Sequence, residues 1–174
     1  MGLRFLSATI DADGSPSGHI AWYNHSTETG KIRTLRPVAK NDKCGVQRME
    51  MLAIYFALSD NQQQIIKIVS SQSKNHLIVN IRSDSKTTIE QLQLQGISEI
   101  RDKALQKIFM AIKKLAEKMM IYMTINFHHL ERARNIAGLL LEQRKRKEEE
   151  KFLIHRYDKY YYNRFMLPDN CIIT

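Results

Sequence analysis

Apolar and β-branched residues fill positions 3–12, alternating with polar ones late in the run, and the turn string D-G-S-P-S-G follows them. This predicts a strand ending near Asp13. Two more short runs, His19 to Asn24 and Lys31 to Arg36, are separated by S-T-E-T-G, so the first third of the chain predicts an antiparallel meander. From Val46 to Leu58 the period changes: Val46, Met49, Ala53, Ile54, Ala57 and Leu58 recur at helical spacing with no glycine or proline between them. Glu50 falls inside that predicted helix. His76 to Ile81 is a short β-rich run, and R-S-D-S offers helix-capping residues before K-T-T-I-E-Q-L, which places Asp84 at a strand-to-helix junction. A long stripe (Ile97, Ile100, Ala104, Leu105, Ile108, Ile112, Leu115, Met119) predicts a helix among charged residues. Ile121 to Phe127 predicts a further strand, and a last helix starts near Glu131. The order βββ-α-β-α-α-β-α calls for a mixed α/β sheet covered by helices.

A chain of 174 residues that is 43% hydrophobic can bury one sizeable core. Beyond it, R-K-R-K-E-E-E-K and the tyrosine-rich stretch after it trade aliphatics for charge, which predicts a domain over 1–142 and an extension over 143–174 with a helical start. The net charge of +9 and a pI near 9.6 favour polyanionic partners, nucleic acid ahead of acidic membrane surface. No apolar run approaches the ~20 residues that span a bilayer, so no membrane partner is expected. Cys44 and Cys171 have neither disulfide-framework nor zinc-ligand spacing, and Asp11 and Asp13 come too early for a signal peptide. An intracellular, cytoplasmic location is the expectation.

Three acids then acquire a meaning that none has alone. Asp13 ends a strand, Glu50 lies near the apolar side of a helix where an uncompensated carboxylate is costly, and Asp84 ends a later strand. Strand ends are where α/β folds build sites, and carboxylates suit hard Mg²⁺ or Mn²⁺. Taken singly, Asp13 and Ser15 read as turn residues and Asp84 as the cap of the next helix.

The element order and three motifs together resemble the ribonuclease H family. A-D-G-S is similar to that family's T-D-G-S, R-M-E-M-L-A-I to its helical glutamate motif, and R-S-D-S-K-T-T-I to its T-D-S motif, with the likeness confined to residues 5–142. The resemblance implies a ribonuclease H-like five-stranded mixed sheet flanked by helices. It implies a metal-dependent endonuclease that hydrolyses the RNA strand of an RNA–DNA hybrid with Mg²⁺ or Mn²⁺, two ions, held by the catalytic acids Asp13, Glu50 and Asp84. Gly14 and Ser15, in the turn after Asp13, are implied to approach the nucleic-acid backbone. The closing family motif resembles R-x-x-N-x-x-A-D-x-L, which here reads Arg132, Asn135, Ala137, Gly138 and Leu140: glycine stands where the pattern has an acid.

That departure leaves two alternatives beside the hybrid nuclease: a weakly active or inactive nucleic-acid-binding protein, or a DNA nuclease of the same fold. Substitute ligands from Asp11, Glu131 or Glu142, and help from His128 or His129, are the compensations the sequence offers. Lys86, Arg132, Arg134 and Asn135 are candidate nucleic-acid contacts. Tyr157, Tyr160, Tyr161, Tyr162 and Phe165 lie among basic residues, a composition suited to base stacking or equally to docking on protein.

Overall fold

The computed structural model describes the backbone of residues 6–71, 77–94, 100–121 and 123–165 and, within these, the side chains of 7–67, 77–94, 100–121 and 123–150. Five strands, β1 (Leu6–Gly14), β2 (His19–Asn24), β3 (Thr29–Thr34), β4 (Leu77–Ser83) and β5 (Met123–His129), form one sheet in the order β3-β2-β1-β4-β5. The first three make the antiparallel meander, and β1, β4 and β5 are parallel neighbours. Helices α1 (Gly45–Ser71), α2 (Lys86–Gln93) and α3 (Lys103–Met120) connect them, and α4 (Ile136–Phe165) closes the described chain.

Strand alternation assigns the two faces. Ile10 and Ala12 of β1, Ile20 and Trp22 of β2, and Val79 and Ile81 of β4 point into the main core with α1 and α3. The intervening positions point the other way, where Ala21 meets Ala137 and Leu141 of α4. Asp11 and Asp13 belong to this second face, paired across β1 and β2 with Tyr23 and Ala21. α3 buries Leu105, Phe109, Ile112, Ala116 and Met119, and Asp102 caps it by accepting a 2.7 Å hydrogen bond from the Leu105 amide. No described helix is long and apolar enough to cross a membrane.

Several expected boundaries move, each for a physical reason. β3 starts at Thr29 because the hairpin turns tightly through His25–Glu28, with Glu28 at φ 53°, and it ends before Leu35, whose amide turns to the Gly18 carbonyl. α1 continues past Leu58 to Ser71, since Ile65 is buried and Asn61 bonds back to the Ala57 carbonyl while receiving the Asn24 amide. Ile121 is not in a strand: it follows α3 in helical geometry, 74% exposed, and the parallel register with Leu77 begins at Met123. The last helix begins later than Glu131, after a single 3-10 turn at Arg132–Arg134. Ile97 lies outside the described residues. By its contacts the chain divides into compact units at Met1–Leu141 and Glu142–Thr174. The tail aromatics continue the α4 backbone through Phe165, and their side chains lie outside the described residues.

Candidate metal centre

The parallel pairing of β1 with β4 sets Asp11 opposite Arg82, so two residues further along both strands Asp13 and Asp84 arrive at the same edge of the sheet. Glu50 comes to them on α1. The helix can approach so closely because residue 14 is glycine: a Cβ there would fall on the Met49 and Glu50 backbone. The Gly14 amide donates to Glu50 Oε2 at 3.3 Å and fixes the carboxylate over the strand end. Ligand atoms of Asp13, Glu50 and Asp84 all lie within 4.8 Å of one another, and no other group of three or more acids, histidines or cysteines converges in this way among the described residues.

Like charges brought out of water are costly, and the site shows it. Burial first, and then the Asp84 charge, push the Asp13 carboxyl up to about 7. Glu50 rises to about 9, through burial and the charges of Asp13 and Asp84. Positive charge from Arg132 partly offsets this at Asp13. A hard divalent cation removes the same repulsion and is matched by an all-carboxylate donor set, so the residues present fit Mg²⁺ or Mn²⁺.

The cluster is braced from both ends. Asn135, buried, donates from Nδ2 to the Ala12 carbonyl at 3.1 Å and to Asp84 Oδ1 at 2.9 Å, and its own oxygen faces the Gly138 amide at 3.4 Å. Asp84 therefore does not cap α2; Ser85 occupies that place and makes no side-chain capping bond. On α1, Arg48 grips Asp102 with two hydrogen bonds of 2.7 and 2.9 Å and Asp42 with a third of 2.6 Å, anchoring the helix two residues before Glu50. These contacts hold the Asp102 carboxyl down to about 2.

The other candidates are distributed differently from the sequence expectation. Asp11 is fully buried and spent elsewhere: Oδ1 accepts from Arg82 Nε at 2.7 Å, while Oδ2 pairs with His25 Nε2 at 2.8 Å and accepts the Ile136 amide at 3.1 Å. It braces the start of α4 and is not part of the three-acid cluster. Asn135 is directed inward and offers no surface to a nucleic acid. Glu131 is exposed beside Arg134 at 3.8 Å, and His128 is within 3.1 Å of Asn80. His129 is exposed at the end of β5, and neither it nor Glu142 belongs to the convergent group. Ser15 bonds Ser17 at 2.7 Å, and Lys86 lies 3.7 Å from Glu90 on the surface of α2. Gly14 has a packing reason for its identity. The bracing roles of Asn135, Asp11 and Arg48 were not legible in sequence, because each joins residues tens of positions apart; only R-x-x-N in the closing motif marked Asn135 at all.

Gly138 sits directly on the cluster. A Cβ built there lies 3.1 Å from Asp13 Oδ2, so this position of α4 borders the first acid.

No protein-family model and no curated protein matches the chain by sequence. Solved structures do. The N-terminal RNase H domain of a Mycobacterium tuberculosis protein, solved as a fusion with maltose-binding protein, superposes at a TM-score of 0.52 with 18% identity, covering 75% of this chain and 86% of that one. RNase H1 from the halophilic archaeon Halobacterium salinarum gives 0.53 and 15%, covering 77% and 91%. LC11-RNase H1, isolated from compost by a metagenomic approach, gives 0.55 and 17%, covering 78% and 90%. Its complex with an RNA/DNA hybrid matches at 0.52 with 15% identity, covering 74% of this chain and 87% of that one. The chain has the ribonuclease H fold.

Proposed function

We propose that this protein is a ribonuclease H-type phosphodiester hydrolase that uses Mg²⁺ or Mn²⁺ to cut the RNA strand of RNA–DNA hybrids. The observation that carries the proposal is the convergence of Asp13, Glu50 and Asp84 within 4.8 Å at the shared edge of two parallel strands and a helix. A bound divalent cation supplies Lewis-acid charge to a phosphate oxygen and lowers the pKa of water. Asp13, Glu50 and Asp84 would hold it, with Gly14 and Asn135 keeping Glu50 and Asp84 from rotating away. Arg132 is exposed and near enough for its charge to lower the Asp13 pKa, which suits it to meet a phosphodiester brought to the acids. Arg134 and Lys86 are exposed and can neutralise further phosphates. His129, exposed and paired in register with Ser83 at the end of β4, is the candidate to assist the attacking water from the neighbouring strand end. Choice of the RNA strand would come from 2′-hydroxyl contacts across a shallow minor groove. The hybrid bound by LC11-RNase H1 supports this substrate class for the same fold.

The test is cleavage of a labelled hybrid with Mg²⁺ or Mn²⁺. Asp13→Asn is expected to lower the rate at least about 100-fold, comparable to losing a key charge-stabilising group, while leaving the fold intact. Equal rates in the two proteins would remove the assignment. A second reading, a nucleic-acid-binding protein with little turnover, is favoured by Gly138 and is recognised by tight hybrid binding without cleavage. Cleavage of a DNA duplex in preference to the hybrid would instead identify a DNA nuclease.

A further inference from the structure

We infer that this site takes one divalent cation and not a pair, with Gly138 as the residue that withholds the second position. The inference rests on the proposed metal site and deepens it.

Glu50 reaches Asp13 from the α1 side of the sheet, whereas Gly138 borders Asp13 from α4, on the opposite face. The three acids converge from α1 and from the ends of β1 and β4, their ligand atoms within 4.8 Å of one another. A second ion about 3.5 to 4 Å from the first could share Asp13, but it needs oxygen ligands of its own on the far flank. That flank is where Gly138 stands, and glycine offers none.

Among the described residues, neither Asp11 nor Glu131 fills the gap. Both oxygens of Asp11 are engaged by Arg82, His25 and the Ile136 amide. Glu131 is exposed and lies beside Arg134, and the convergent group contains no fourth member among the described residues. The flank can accept a side chain, however. The atoms nearest a Cβ at position 138 are all side-chain atoms, Asp13 Oδ2 at 3.1 Å, Asp13 Cγ at 3.6 Å and Asn135 Cβ at 3.7 Å, so a shift of a few tenths of an ångström in the Asp13 carboxylate makes room.

The experiment counts Mn²⁺ on the full chain by calorimetry and by electron paramagnetic resonance, because two ions at bridging distance couple magnetically and one does not. Each count is made with and without a hybrid whose RNA strand is 2′-O-methylated, which offers phosphates and resists cleavage; ions held by the duplex alone are subtracted. The expected result is one ion with an uncoupled spectrum in the natural protein and in Gly138→Ala, a coupled pair in Gly138→Asp, and loss of the ion in Asp13→Asn. A coupled pair in the natural protein, with or without the duplex, overturns the inference and leaves the metal site standing. A single ion in folded Gly138→Asp overturns the role given to position 138. No bound ion in the natural protein, or unchanged binding in Asp13→Asn, overturns the metal site itself and the inference with it. Should Gly138→Asp fail to fold, the natural protein's spectrum still decides between one ion and two.

Discussion

Asn135 carries more of the site than its position in a loop suggests. With no exposed surface, it spends its amide on the Ala12 carbonyl and the Asp84 carboxylate, tying the start of α4 to both strands that present acids. Replacing it by alanine leaves a buried carbonyl without its donor and frees Asp84 to rotate. A loss of about 2 kcal/mol is expected from the unmade buried bonds, measured by urea unfolding, together with weaker Mn²⁺ binding. Arg134→Ala, at the exposed position immediately before Asn135, is expected to change stability by no more than about 0.5 kcal/mol. Equal effects of the two substitutions would show that Asn135 is only a loop residue. At this scale the sequence was legible for acids and poor for their supports. Asp13, Glu50 and Asp84 stand out because carboxylates at strand ends and on an apolar helix side demand an explanation. Asp11 stands out for the same reason and proves to be an ion-pair partner, because Arg82 and His25 approach it from chain segments that no local spacing connects to it.

Among the elements, the crossing of α1 over β1 determines whether Glu50 reaches the cluster at all. The crossing is close because Gly14 has no Cβ, and it is held in angle by Arg48, which pins the first turns of α1 to Asp42 and to the cap of α3. Gly14→Ala forces the Met49–Glu50 backbone outward. The expected cost is about 2 kcal/mol, as for other overpacked contacts, with Glu50 displaced and Mn²⁺ affinity reduced; a stable variant that binds metal normally would contradict this account of the crossing. Element types were readable from periodicity: the alternation of β4 and the stripe of α3 each report one buried face. Boundaries were not. α1 outruns its apolar stripe because Asn61 and Asp60 find polar partners in Asn24, Trp22 and Arg33, and such tertiary capture leaves no mark on the local pattern. Ile121 misled for the opposite reason, since an apolar residue left exposed after a helix looks in sequence like the start of the next strand.

Over the whole molecule, three motifs in the right order made the ribonuclease H fold legible from sequence, although no family model recognises the chain and its structural relatives share less than a fifth of its residues. Their order was informative because it places each acid on a different element around one edge of the sheet. Spacing alone could not show that Gly138 touches Asp13, which depends on α4 packing over Ala21. The assembled cluster makes stability depend on pH in a defined direction. With Asp13 raised to about 7 and Glu50 to about 9, the folded, metal-free protein holds protons that the unfolded chain releases above about pH 4. Their contribution is therefore favourable at low pH and is lost as pH rises through 7 and 9. Asp60 and Asp102, held below the usual carboxylate range, act in the opposite direction, but only under more acidic conditions. A divalent cation at the three acids competes with those protons, so its stabilisation must grow as they leave. The most direct test that Asp13, Glu50 and Asp84 form one cation site is the melting temperature from pH 5 to 9, with and without saturating Mg²⁺, for the natural protein and Asp13→Asn. The account predicts a Mg²⁺ shift that increases with pH in the natural protein and is nearly absent in the variant. A shift independent of pH, or equally large in Asp13→Asn, would contradict it.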